Sequence, residues 1–177
     1  MTAVEIFVDE TKRSDYLLCA AVVSVHDLAV ARKIMRELKP RNRNRLHMHD
    51  EGAASRRRIL AEFLRRNPIR EAHLWIAAIG GRSERSVRED CLRELALGVA
   101  ALGATRILVE SCGQDKQDRA TLTGALAGIG ALETVRVDID VPTAHELLWA
   151  ADLVAWAYAA GGRERRQIQR LVTVHRV

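Results

Sequence analysis

Four acidic residues stand where a folded chain does not ordinarily put them. Asp9 and Glu10 follow directly on the apolar run Ile6-Phe7-Val8, and Glu110 closes the run Ile107-Leu108-Val109. Asp152 lies within HELLWAADLVAWAYAA, with Leu148, Trp149, Ala155 and Trp156 three and four residues to either side. A carboxylate in such surroundings is costly to desolvate unless it is paired or hydrogen-bonded. An arginine partner, a backbone cap, or a turn-starting role for Asp9 would each meet that cost in an ordinary structural way. Convergence of the carboxylates would give a different chemistry. Each raises the pKa of the next, and a divalent cation relieves the repulsion. Oxygen-only donors suit Mg²⁺ or Mn²⁺ better than Zn²⁺, and two such ions can activate a water and steady the leaving oxygen of a phosphodiester. Asp9, Glu110 and Asp152 are therefore the catalytic and metal-ligand candidates. Glu10 and Asp118 are held in reserve as ligands.

A second constellation is His47-Met48-His49-Asp50-Glu51. His-x-His on an extended segment turns both rings to one side, as chelation of zinc requires, but no third soft ligand is near in sequence. The same residues read equally as a polar loop, or as a loop that brings His47 to a scissile phosphate. His145 precedes Asp152 by seven residues on one expected helical face and could reach the same place. Cys112-Gly113 has no nucleophile elbow around it. Gly80-Gly81 lacks the Gly-Lys-Ser/Thr of a phosphate loop.

The elements that must position these side chains follow from periodicity. Strands are expected at 3–9, 15–25, 70–79, 105–110 and 133–139, the first two joined as a hairpin through ETKRS. Helices are expected at 27–38, 54–66, 83–102, 115–129 and 143–160, the last opened by Pro142 and a Thr143-x-x-Glu146 capping box. A basic helix or arm follows from 163. This order predicts one domain over 1–177, an α/β fold with a mixed five-stranded sheet flanked by helices and a helical insert, about 26–68, after strand two. If strands one and four are parallel neighbours, Asp9 and Glu110 share the sheet edge where open α/β folds bind ligands.

The charge is unevenly spread. Between 32 and 66 there are twelve Lys and Arg against four Asp and Glu, and from 163 onward five Arg against one Glu, although the whole chain of 177 residues carries only +5. Such a split is that of a polyanion-binding face beside an acidic site, or of arginine-rich helices facing solvent. Lys12, Arg41, Arg43, Arg45, Arg163 and Arg166 are the candidate backbone contacts. Aromatic residues are 4% of the chain, too few for a base-stacking platform. No run approaches the roughly 18 apolar residues of a spanning helix, and MTAVEIFVDE is not a leader. Cys19, Cys91 and Cys112 read as reduced thiols, and the expected location is the cytoplasm. Ala-rich apolar helices raise the expectation of a homodimer.

FVDE at 7–10, the long second strand, LVE at 108–110 and AADLVAWAY at 150–158 together resemble the ribonuclease H-like fold, and within it the DUF 3800 family. The resemblance spans most of the chain. It implies a metal-dependent nuclease core, with a strand-one acid at Asp9, a strand-four acid at Glu110 and a late-helix acid at Asp152. The sequence departs from the family pattern in having Thr11-Lys12 after Asp-Glu, where Ser-Gly is usual, and Glu110 where Asp is frequent. Glu89, Asp90 and Glu94 offer no clear match to the acid of the first long helix. Two other readings stand beside the nuclease: an inactive nucleic-acid-binding or assembly module of the same fold, and a structural zinc protein using His47 and His49.

Overall fold

The computed structural model describes residues 2–177. A six-stranded sheet runs in the order β5-β4-β1-β2-β3-β6. Its strands are β1 (Val4–Lys12), β2 (Asp15–Ser24), β3 (Glu71–Ala78), β4 (Ala104–Glu110), β5 (Arg136–Asp140) and β6 (Val172–Arg176). β2 is antiparallel to both β1 and β3, whereas β4 runs parallel to β1, β5 to β4, and β6 to β3. The expected strands and hairpin form, and the insert between β2 and β3 is helical: α1 (Leu28–Leu38) and α2 (Ala53–Arg66), joined by a loop with one 3₁₀ turn at Met48–Asp50.

Strict alternation divides the central strands between two cores. Phe7, Leu17, Cys19, Leu74 and Leu108 face α1, α2 and α5 (Leu148–Ala160). Ile6, Val8, Leu18, Val22, Trp75, Ile107 and Val109 face α3 (Glu84–Ala101) and α4 (Asp115–Gly128). Both faces are apolar because helices cover both, as a sheet with parallel crossovers requires. α3 approaches so closely at Gly98 that a Cβ there would lie 2.9 Å from the Trp75 ring.

The expected elements are corrected in two places. The sheet has six strands rather than five: α6 (Gly162–Ile168) is a short basic helix, and the tail then enters the sheet as β6. The alternation of Val172 and Val174 with Thr173 and His175 carries this signal. α5 begins at Leu148, not 143, because the residues before it are held elsewhere. Glu146 pairs with Arg36 at 2.7 Å, His145 with Asp140 at 2.9 Å, and the Trp149 indole N–H donates to the Pro142 carbonyl at 2.7 Å. The capping box therefore does not form. In the Ala-rich helix α5, Ala150, Ala151, Ala155 and Ala157 are buried in the chain's own core. Among the described residues, no helix is long and apolar enough to cross a membrane.

β6 is held to β3 partly through a stack of His73, Trp75 and His175, with His73 Nδ1 2.9 Å from His175 Nε2. One ring must donate and the other accept. Burial holds the His73 pKa below its usual 6.5, so the fold favours the neutral ring. The stabilisation from neutral His73 is complete above pH 6.5, where the unfolded chain is also neutral, and is lost as pH falls below that value. Acidification should therefore raise hydrogen exchange in Val172–Arg176 before it does so in β1, and His73→Gln should remove this pH dependence.

Candidate metal centre

The parallel pairing of β1 with β4 matches Val8 to Val109, so Asp9 and Glu110 are the next residues along neighbouring strands. Both share the face of Phe7 and Leu108, under α5. Neighbouring strands lie about 4.8 Å apart. α5 crosses that face, and Asp152 descends from it. The carboxylates feel one another: burial first, then the charges of Glu110 and Asp152, push the Asp9 pKa well above the carboxylate range. Burial raises Glu110 as well, with Arg45 opposing and Asp152 adding to the rise. Asp9 accepts a hydrogen bond from the Glu10 N–H at 2.7 Å and, among the described residues, has no salt-bridge partner.

The insert loop closes over the other two acids. Asp152, itself buried, accepts from the Met48 N–H at 2.8 Å and lies 3.1 Å from His47 Nδ1, a contact that raises the His47 pKa. Arg45 Nη1 stands 3.4 Å from Glu110 Oε1. Arg56 on α2 fixes the loop from behind, donating to the carbonyls of Met48 at 2.8 Å and His49 at 3.0 Å while lying over the Trp156 ring. Asp152 thus performs the backbone-capping role weighed for it and also faces Asp9 and Glu110. His49 is exposed, and its ring lies 5.6 Å from that of His47.

Glu10 and Asp118, the reserve ligands, are engaged on the other face of the sheet, although Glu10 lines the same hollow as Asp9 and Glu110 at the strand ends. Alternation turns Glu10 to the α3 side, where it pairs with Arg88 and Tyr16, and with Lys12 at 3.3 Å. Arg88, buried, also grips Asp118 in a fork, Nε to Oδ1 at 2.9 Å and Nη2 to Oδ2 at 2.7 Å, and donates to the Tyr16 hydroxyl at 2.7 Å. Donor atoms of Cys112, Asp115 and Asp118 lie within 4.8 Å of one another, a spacing that Asp9, Glu110 and Asp152 do not meet. That tighter group is already satisfied: Arg88 holds Asp118, and Asp115 accepts from the Ser111 hydroxyl at 2.6 Å and the Cys112 N–H at 2.7 Å. A hollow of about 60 Å³ at the strand ends is lined by Asp9, Glu110, Glu10, Arg88 and Cys112. A larger one, about 410 Å³, lies at the opposite end of the sheet among Val30, Ile34, Arg66 and Pro68, away from any of these acids.

Of the remaining candidates, His145 ends beside Asp140, the residue paired with Glu110 on β5, instead of on a helical face with Asp152. Arg41, Arg163 and Arg166 are exposed. Lys12 reaches Glu84 at 2.8 Å, and Arg43 donates to the Asp50 carbonyl at 3.1 Å. Sequence reasoning missed Arg13, Arg165 and Arg176, which line a hollow of about 150 Å³ with Thr11, Ser14 and Tyr158 at the carboxyl ends of β1 and β3. It also missed Arg88, which the apolar stripe Val87-Cys91-Leu95 marks as close to the core.

Oxygen donors on two strand ends and one helix, with no salt-bridge partner at Asp9 among the described residues, are the donor type of a hard divalent cation, set wider apart than those of the Cys112 group. Binding one would hold the raised carboxylates in their ionised form and release protons. The strand order and directions, with an acid at the end of β1 and of β4, define a ribonuclease H-like fold. Solved structures agree. The chain superposes over 97% of its length on ribonuclease H2 from Pyrococcus horikoshii OT3, with TM-score 0.58, 15% identity and 75% of that chain covered. Ribonuclease HII from Archaeoglobus fulgidus, solved in complex with PCNA, gives TM-score 0.56 at 15% identity with 76% of its chain covered. The Q54A mutant of Bst-RNase HIII gives 0.51 at 14% identity with 61% covered. Neither a protein-family model nor a curated protein matches the chain.

Removing the Arg88 guanidinium would leave Asp118 and Glu10 uncompensated. Arg88→Met should cost about 3–5 kcal/mol in urea unfolding, the range for breaking a buried pair. Arg88→Met combined with Asp118→Leu should recover much of that loss. Equal costs for the single and double variants would show that the pair is not the source.

Proposed function

We propose that this chain is a metal-dependent phosphodiesterase acting on nucleic acid. Asp9, Glu110 and Asp152 would hold one or two Mg²⁺ or Mn²⁺ ions, which supply an activated water and charge stabilisation at phosphorus. The observation that carries this reading is the facing of three carboxylates across β1, β4 and α5, with no salt-bridge partner at Asp9 among the described residues. His47, half-buried beside Asp152, is placed to hold or pass a proton at Nδ1. Arg45 on one side, and Arg13, Arg165 and Arg176 on the other, border the acids with cationic groups that suit a phosphate backbone. Arg41, Arg43, Arg163 and Arg166 extend the basic surface, with Lys12 at the strand end.

The finer kinship with the DUF 3800 family rests on FVDE and AADLVAWAY and belongs to the same proposal. So does a single domain over 1–177, supported by the entry of β6 into the one sheet. A cytoplasmic setting is supported by three free cysteines. The reading needs no second copy of the chain.

One observation favours the alternative, a non-catalytic nucleic-acid-binding module: donors from the insert loop already engage Glu110 and Asp152. The two readings separate by experiment. Millimolar Mn²⁺ should raise the melting temperature by several degrees, at about 2–4 °C per kcal/mol of binding energy for a chain this size. Asp9→Asn and Asp152→Asn should abolish that rise. Labelled single- and double-stranded DNA, RNA and their hybrid should be cleaved with Mn²⁺ and not with EDTA, and each variant should lose more than about 100-fold in rate. Binding of these strands with a steep salt dependence and no metal-dependent cleavage would establish the binding module instead.

A further inference from the structure

The segment 45–48 is extended at His47 (φ −136°, ψ 114°), and its side chains alternate. Leu46 and Met48 are buried in the core beneath α5, while Arg45 and His47 are only half-buried and point at the acids. The result is three donors from four consecutive residues set against two carboxylates. Asp152 is held on both oxygens, by His47 at Oδ1 and the Met48 N–H at Oδ2. Glu110 is held by one long side chain, and at 3.4 Å, the loosest of the three contacts. The arginine keeps 31% of its side-chain surface exposed, so it has room to move outward.

We propose that Arg45 is an exchangeable counter-ion: it neutralises Glu110 when no divalent cation is bound, and contacts the nucleic-acid backbone when one is. This deepens the nuclease reading and rests on it. A divalent cation at Glu110 takes the lone pairs that Arg45 uses and repels its charge. Arg45 is then released at the rim of the site, where a phosphate is the nearest partner of matching geometry. Cation and nucleic acid must in consequence each strengthen the binding of the other, by the same factor. Asp9 and Glu110 set the demand for positive charge, and Arg45 is the only arginine in direct contact with the trio among the described residues.

The test is Arg45→Ala, with Arg45→Gln as a second variant that keeps the length and removes the charge. Calorimetric titration with Mn²⁺ alone should show both variants binding about three- to tenfold more tightly than the wild-type protein, because the competitor is gone. Anisotropy of labelled DNA duplex and RNA–DNA hybrid should show less than about a twofold loss in EDTA. In Ca²⁺ the loss should be about tenfold, the worth of one charge-assisted contact. Arg163→Ala, remote and exposed, should weaken binding equally in both conditions. Equal Mn²⁺ affinity for variants and wild type, or an Arg45 loss identical in EDTA and Ca²⁺, overturns the exchange and leaves the nuclease reading standing. If no divalent cation binds wild type or variants, both fall together.

Discussion

Setting two carboxylates side by side at the ends of parallel strands concentrates negative charge in a place with little water, and much of the surrounding structure answers that strain. β1 and β4 are central and apolar on both faces, so Asp9 and Glu110 cannot withdraw along the sheet. α5, the most apolar helix, adds a third acid. Relief comes from the insert, whose loop lends a guanidinium, an imidazole and a peptide N–H, and from the charge of Arg88 on the other face. The insert is thus more than a connection between two antiparallel strands. Its packing on α5, through Arg56 and the Met48 side chain, sets how much counter-charge reaches the acids.

The two faces of the sheet treat their acids differently. Under α5 the carboxylates face one another with incomplete compensation. Under α3, one residue along, Glu10 and Asp118 share a buried arginine, and the Tyr16 hydroxyl donates to Glu10. Asp118 also belongs to the close-set group with Cys112 and Asp115, where Arg88 and the Ser111 hydroxyl already engage the carboxylates. Proximity of carboxylates therefore does not by itself distinguish a ligand site. The distinction lies in whether a cationic side chain already occupies the centre.

Much of this was legible in the sequence. β1, β2, β3 and β4 are continuous apolar runs bounded by turns, and a sheet covered on both sides leaves that signature. The three acids were legible for the complementary reason, as charges interrupting such runs. β6 was obscured by the arginines around it: short, half-exposed and at the edge, it buries too little to impose a strong pattern. The start of α5 was misjudged because the local capping signal lost to distant partners, Arg36 for Glu146 and Asp140 for His145. Arg88 was hidden among many solvent-facing arginines, since its partner Asp118 lies 30 residues away and on another helix.

The side-by-side acids of β1 have one more implication. Asp9 and Glu10 differ in environment only through the parity of the strand, the first turned to α5 and the second to α3. Lengthening or shortening the chain by one position anywhere between Val4 and Val8 would exchange their destinations. An insertion would carry the aspartate to the position that faces Arg88, and a deletion would bring the longer, more flexible glutamate to the position that faces Asp152. Point substitutions can adjust this centre by degrees, but a single-codon insertion or deletion in that stretch inverts it outright, so the spacing from the strand's start to Asp9 should tolerate no drift.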